Sequence, residues 1–508
     1  MDVHTRETDH GAHPAADHAA TAAERAWLAG DVVTAIAAAD RALGAGTDPG
    51  SRAAGVAAAA AAADGALRDA AARWRAVAAT QDGTPAVEAL GRAALAAALA
   101  GDVVAASGDV EQACGRMPDP APRGLGVLVA GAAATLDALR GDVTGAARTL
   151  TGLAAATVPP DPLAAESWDE LAAVVVAAAG QEATARAMLA AVPGEPTVRR
   201  RLLTAWTDLR GARLREAHEG LAAARATPVL RRNAVLAAAV GTGLARRAAT
   251  TPEGAATLAA TWHRAAAVVA GADVEPLLID VWGELSVAAA HVSPTDRDSL
   301  TEAIATAVAR AGHPPWLVAA DAWWRVERAV VTRDRAAADD AAAVLTALAD
   351  RSVADRSPEG GRTPAHAPDR FALLAGAATA WTAVLAARPD AGTVVAVADR
   401  LTGAGRRVEA SALCAAAAEV STDPAAVRAL LGTGRELRTS GGTATGLLSE
   451  REQEVGALVV DGLTQKEIGA RLYISPKTVE QHVARLRRKL SARNRAELVA
   501  ALRTHLPA

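Results

Sequence analysis

The sequence predicts an all-α protein: a long array of helical hairpins followed by a small four-helix domain at the C-terminal end. Three observations predict it. The apolar half of the 508 residues is mostly Ala, Leu and Val, with one Phe, one Tyr and ten Trp, and Ala and Leu are among the best helix formers. Apolar and polar residues nowhere alternate long enough to mark a strand. A short element also recurs: an apolar helix end, then Gly-Asp or a relative of it, then Ala four or five residues on.

Residues 1–20 are polar and read as a mobile tail. His4, His10, His13 and His18 lie there at irregular spacing, which fits a solvated tail better than a metal site. No basic stretch precedes an apolar one, so this is not a signal peptide. Ala-rich runs such as Val56 to Ala63 are too short to cross a bilayer. A soluble cytoplasmic protein with no membrane partner is expected. Cys114 and Cys414 stand far apart without a CxxC partner, so neither a disulfide framework nor a zinc site is expected.

Residues 21–437 carry the recurring element. It occurs at Leu28-Ala29-Gly30-Asp31, Leu99-Ala100-Gly101-Asp102 and Leu139-Arg140-Gly141-Asp142, with weaker echoes at Gly180-Gln181 and Gly211-Ala212. The physics is that of a helix hairpin. Gly ends one helix in the left-handed conformation and Asp caps the next. A small Ala then lets the second helix pack closely on the first. The element resembles tetratricopeptide repeats over roughly residues 22–226, without most of the aromatic positions of that pattern. Residues 352–368, with Gly360-Gly361 and three prolines, read as an exposed loop. Residues 438–446 read as a flexible linker to the last domain. All ten Trp precede it. They fill gaps in an Ala-rich core or, in the sharper reading, line a ligand groove.

The net charge of −4 divides unevenly. From Leu447 onward there are eleven Lys and Arg against seven Asp and Glu, a net +4, which leaves −8 for the remainder. All three lysines, Lys466, Lys477 and Lys489, lie in this tail. A P-loop, a protein kinase and a pyridoxal enzyme each need a lysine that the large N-terminal part lacks. No GxSxG, HExxH or strand-borne GxGxxG is present either. No enzyme, cofactor or metal is expected.

Residues 447–508 show four helix starts. Ser449 with Glu452, and Thr464 with Glu467, are capping boxes. Ser475-Pro476 is an N-cap followed by Pro at the first helical position, and Asn494 precedes a fourth start. Helices are predicted over 450–460, 465–472, 476–490 and 495–506. On the third, Val479, Val483, Leu486 and Leu490 share one face. The other face carries Lys477, Glu480, Gln481, Ala484, Arg485 and Arg488. One buried apolar stripe opposite a basic, amide-bearing face suits the major groove of DNA.

This tail resembles the LuxR-type helix-turn-helix. The resemblance is carried by Leu448-Ser449-Glu450-Arg451-Glu452-Gln453-Glu454-Val455, Gly462-Leu463-Thr464-Gln465-Lys466-Glu467-Ile468, Leu472-Tyr473-Ile474-Ser475-Pro476-Lys477-Thr478-Val479-Glu480-Gln481-His482-Val483 and Arg487-Arg488-Lys489-Leu490. It implies that 476–490 is a recognition helix and that 495–506 forms a homodimer. It implies base-facing positions at Glu480, Gln481 and Ala484. Lys466, Lys477, Thr478, Arg485, Arg488 and Lys489 are expected at phosphates. Two positions depart from the common pattern: Gln465 stands where Asn is frequent, and Glu480 where Lys or Arg is. Glu480 can accept a hydrogen bond from a cytosine amino group, or it can form a salt bridge on its own helix. His482 is expected to pack against the first helix rather than bind metal.

The resemblance implies a sequence-specific transcription regulator of a bacterial kind that binds double-stranded DNA. The large helical arm is then expected to sense a protein or small ligand on its concave face. A helical-repeat scaffold tethered to DNA remains the alternative.

Overall fold

The hairpin element forms as the Gly-Asp spacing predicts. Gly30, Gly101, Gly141 and Gly180 take φ of +78°, +75°, +111° and +79°. The amide that follows each of these glycines bonds back to a carbonyl five residues earlier, as from Asp31 to Ala26, Asp102 to Ala97 and Asp142 to Asp137. These bonds satisfy carbonyls that a helix end leaves open. Asp31, Asp102 and Asp142 then accept from the amides of Thr34, Ala105 and Gly145 at 3.1, 3.1 and 2.9 Å. Gly211 departs from the pattern: its φ is −79°, and Ala212 takes the left-handed position instead. Arg333-Asp334 is a hairpin turn that composition conceals. Arg333 sits at φ +56° and Asp334 caps Ala337.

The computed structural model describes residues 14–44, 48, 51–156, 161–225, 230–249, 251–354, 367–439, 450–472, 476–490, 492 and 494–505. Among them are twenty-six α-helices, one 3-10 helix and no strand, so the all-α expectation holds. The helices fall into two compact units, Met1–Asp390 with Gly403–Gly405, and Ala391–Thr402 with Arg406–Ala508. Helices Arg407–Val420 and Pro424–Thr439, read in sequence with the arm, therefore group with the C-terminal unit. Three expected irregular segments are narrower at their edges. Helix Pro14–Leu28 takes in residues 14–20 of the expected tail, and Ala20 is buried beside Ala23, Ala35 and Ala38. Helices Arg335–Ala354 and Ala367–Leu385 take the ends of the expected loop 352–368, and helix Pro424–Thr439 the start of the expected linker. The extensions mix Ala with Pro14, Ser352, Val353, Pro368 and Thr439, so local propensity alone does not set these ends. The remainder of the three segments lies outside the described residues.

In the first unit, seven of the ten Trp are buried, which fits gap filling rather than an open aromatic groove. Glycines make room for the rings. A Cβ on Gly131 would lie 2.3 Å from the Trp168 ring, and one on Gly283 2.2 Å from that of Trp324. The Trp324 Nε1 donates to Asp280 at 2.7 Å and the Trp262 Nε1 to Asp296 at 2.8 Å, so burial leaves these donors satisfied.

The later helices of this unit cover the turn edge of the earlier ones. The amide of Asp273 donates to Gly65 O, Arg310 Nη1 to Ala100 O, Trp316 Nε1 to Leu139 O and Arg370 Nη1 to Ala178 O, at 2.9, 2.9, 3.1 and 2.6 Å. Each donor caps carbonyls at the C-terminal end of an earlier helix. No helix of the described residues is long and apolar enough to cross a membrane.

Candidate nucleic-acid interface

The C-terminal helices are Glu450–Val460, Gln465–Leu472, Pro476–Lys489 and Arg495–His505. They match the predicted spans, the last two ending one residue short. Val455, Val459, Ile468, Val479, Leu486, Leu498 and Leu502 form their core, with Val483 and Leu490 half-buried at its edge. The first helix packs on the third and fourth, and the second on the third.

Local chemistry sets the helix starts. Glu467 accepts from the Thr464 amide at 2.7 Å, and the Thr464 hydroxyl accepts from the Glu467 amide at 3.4 Å. The Thr464 amide, and the Thr464 hydroxyl that also donates to Glu467 at 2.7 Å, hold the Glu467 carboxyl below the usual carboxylate range. Asn494 Oδ1 accepts from the Glu497 amide at 2.9 Å, and Asn494 Nδ2 donates to Glu497 Oε1 at 2.8 Å. Gly462 at φ +86° ends the first helix. The Arg495 guanidinium donates to Leu463 O at 2.9 Å, which ties the fourth helix to the turn before the second. Ser449 and Ser475, the other two predicted caps, lie outside the described residues.

The third helix separates its faces as its pattern predicts. Val479 and Leu486 are fully buried, while Glu480, Gln481 and Ala484 are exposed. Arg487 is exposed too. It follows Ala484 by three residues and Glu480 by seven, so it continues the same face. That helical step was the available signal for a residue absent from the expected set. Lys466 is exposed near the start of the second helix, next to exposed Gln465. Lys477, Thr478, Arg485, Arg488 and Lys489 lie on the third helix by backbone; their side chains lie outside the described ones. His482 is half-buried. No group of three or more His, Cys, Asp or Glu that could hold a metal occurs among the described residues.

A short helix, a connection of three residues and a third helix with one buried stripe and one polar exposed face define a helix-turn-helix unit. Residues 446–502 match the family described as bacterial regulatory proteins, luxR family. The spore germination protein GerE of Bacillus subtilis is 43% identical over 56 residues, which is 76% of GerE and 11% of this chain. The transcriptional regulatory protein LiaR of Bacillus subtilis is 42% identical over 60 residues, 28% of LiaR and 12% of this chain. A Mycobacterium tuberculosis (strain CDC 1551 / Oshkosh) chain, provisionally named an HTH-type transcriptional regulator, is 39% identical over 82 residues, 16% of this chain. The match spans 9% of that mycobacterial relative. Through its C-terminal domain, the chain belongs to the luxR family of bacterial regulatory proteins.

Proposed function

We propose that the protein is a transcription regulator that binds double-stranded DNA through residues 447–508, with the third helix in the major groove. The observation that carries this reading is the exposure of Glu480, Gln481 and Ala484 directly opposite buried Val479 and Leu486. In the groove Gln481 pairs with adenine, Glu480 accepts from a cytosine amino group and Ala484 meets a thymine methyl. Lys466, Lys477, Thr478, Arg485, Arg488 and Lys489 hold phosphates. Residues 495–506 form the homodimer. Leu498 and Leu502 are committed to the domain's own core, and among the described residues Arg495 and Glu497 are exposed and Val499 is half-buried on the rest of this helix. The acidic arm senses a protein or small ligand and controls access to DNA in the cytoplasm.

Selection from a randomised duplex pool, followed by affinity titration across a salt series, tests this reading. Glu480→Ala changes the preferred base at one position, worth about 1–3 kcal/mol of discrimination. Lys466→Ala weakens all sequences alike and lowers the slope of log K against log salt by about 0.9. Wild-type behaviour of both variants overturns the interface. Diffuse genomic occupancy, in place of a few promoters, would favour the tethered scaffold.

A further inference from the structure

The arm buries a cluster of charge that DNA binding does not use. Glu166 lies between two guanidinium groups, 2.6 Å from Arg199 Nη2 and 2.8 Å from Arg232 Nη2. Arg232 also binds Glu275 at 2.6 Å, and Arg199 lies 3.6 Å from Glu275. Arg232 donates to Ala165 O, and Arg199 to Asn233 Oδ1 at 3.3 Å. A third carboxyl, Glu170, adjoins Glu166 and accepts from the Thr197 hydroxyl at 2.5 Å. All five charged residues are at least nine-tenths buried.

The charges do not balance with every group ionised, since three carboxylates would face two guanidinium ions. An uncompensated buried charge is costly. One proton on Glu170 removes the excess and lets that carboxyl donate to Glu166. Buried Arg200, beside Thr197, turns its guanidinium to the carbonyls of Val192, Gly194 and Glu195, and further charged groups lie at the far end of helix Trp168–Ala178. There Glu182 and Asp280 adjoin Ala178, and Arg210 lies 3.8 Å from Glu182.

The location matters as much as the chemistry. The cluster joins the segment before helix Trp168–Ala178 to helices Val198–Arg210 and Arg231–Ala248 and to Glu275. Two residues before Glu275, the Asp273 amide donates to Gly65 O and the Asp273 carboxylate binds Arg68 at 2.6 Å. One residue after it, Pro276 abuts Gly101. The cluster thus sits where the later helices close over the earlier hairpins.

We propose that Glu170 is a proton-dependent clasp: as the neutral acid it completes the cluster, and its ionisation loosens the closure of segment 271–278 over the first hairpins. The direction agrees. Burial, then the neighbouring Glu166 carboxylate, pushes the Glu170 carboxyl above its ordinary value. Burial opposes ionisation of Glu166 too, but Arg199 and Arg232 outweigh it and keep that carboxyl low. Because the closed state holds the Glu170 proton more tightly, closure is strongest at low pH and is lost as pH rises through the closed-state pKa.

Hydrogen exchange of the full chain across a pH series, wild type against Glu170→Gln, tests the clasp. In wild type the opening constant for amides of 167–178, 198–210 and 271–278 rises up to tenfold per pH unit. The rise starts near the open-state value of about 4.3 and levels above the closed-state pKa. In the Gln variant, a fixed mimic of the neutral acid, that rise is absent and a protonated-carboxyl infrared band seen in wild type is missing. Identical pH dependence in the two proteins overturns the proposal. If the variant does not fold, wild type alone decides: a rise confined to these segments supports the clasp, and one spread evenly over the chain refutes it.

Discussion

Gly30 and Gly101 occupy equivalent places in two hairpins, with nearly the same φ of +78° and +75°. Ala at either position pays about 1–2 kcal/mol for the left-handed conformation. It recovers about 0.4–1 kcal/mol by restricting the unfolded chain. Gly30→Ala therefore costs roughly 1 kcal/mol or less, because a Cβ there has no neighbour within 4 Å among the described residues. At Gly101 the Cβ would lie 2.6 Å from Pro276 Cγ and 3.4 Å from Pro276 Cδ. Pro276 is buried in the 3-10 helix Pro276–Leu278 and its ring cannot swing aside. Overpacking of that kind adds about 1–3 kcal/mol, so Gly101→Ala costs about 1–4 kcal/mol, more than Gly30→Ala by the overpacking alone. Urea unfolding of the full chain by circular dichroism measures both, with hydrogen exchange of the Asp31 and Asp102 amides as the local check. Equal losses at the two sites would refute the claim that the closure over Gly101 is a tight packed contact.

Other outcomes follow from the same packing. Leu486→Ala empties a fully buried position in a core of few residues. It costs about 2–5 kcal/mol, and DNA binding is lost while the far-ultraviolet spectrum keeps most of its helix signal. Glu284 is fully buried between Arg246 and Arg247, which outweigh burial and bring its carboxyl down to about 2. Its contribution is therefore full above the ordinary carboxylate range and is lost as pH falls toward 2. Glu284→Ala removes the carboxylate shared by two guanidinium groups and costs about 3–5 kcal/mol, and it flattens the acid limb of a stability–pH curve. Asp142→Ala removes the cap on Gly145 for about 1 kcal/mol, visible as a lower urea midpoint.

Much of the candidate site was legible. Its helix starts are written as Thr464 with Glu467 and Asn494 with Glu497, in each of which the first side chain accepts from the amide three residues on. Its exposed face is written in the spacing of Val479, Val483, Leu486 and Leu490, because 3.6 residues per turn leaves Glu480, Gln481 and Ala484 on the opposite side. Arg487 was missed although the same spacing includes it. The Gly-Asp hairpins were equally readable, except where Ala212 or Arg333 takes the turn position in place of glycine. A non-glycine residue there is held by its surroundings, not by its own preference.

The sequence by itself determined that the chain is helical, where most hairpins turn, and that its end carries a luxR-type reading head with a basic bias. These depend on bonds and faces within a few residues, where local preference is large compared with anything distant. Only the tertiary structure decided which hairpin turns are covered. Gly65 lies against Ala272, Gly101 against Pro276 and Gly180 against Arg370, while no described residue comes within 4 Å of a Cβ on Gly30. It also decided that Glu166, Glu170, Arg199, Arg232 and Glu275 share one buried cluster. Ala-rich helices offer many nearly equivalent small faces, so their order in space is set by a few long-range contacts and buried charges that no local spacing encodes.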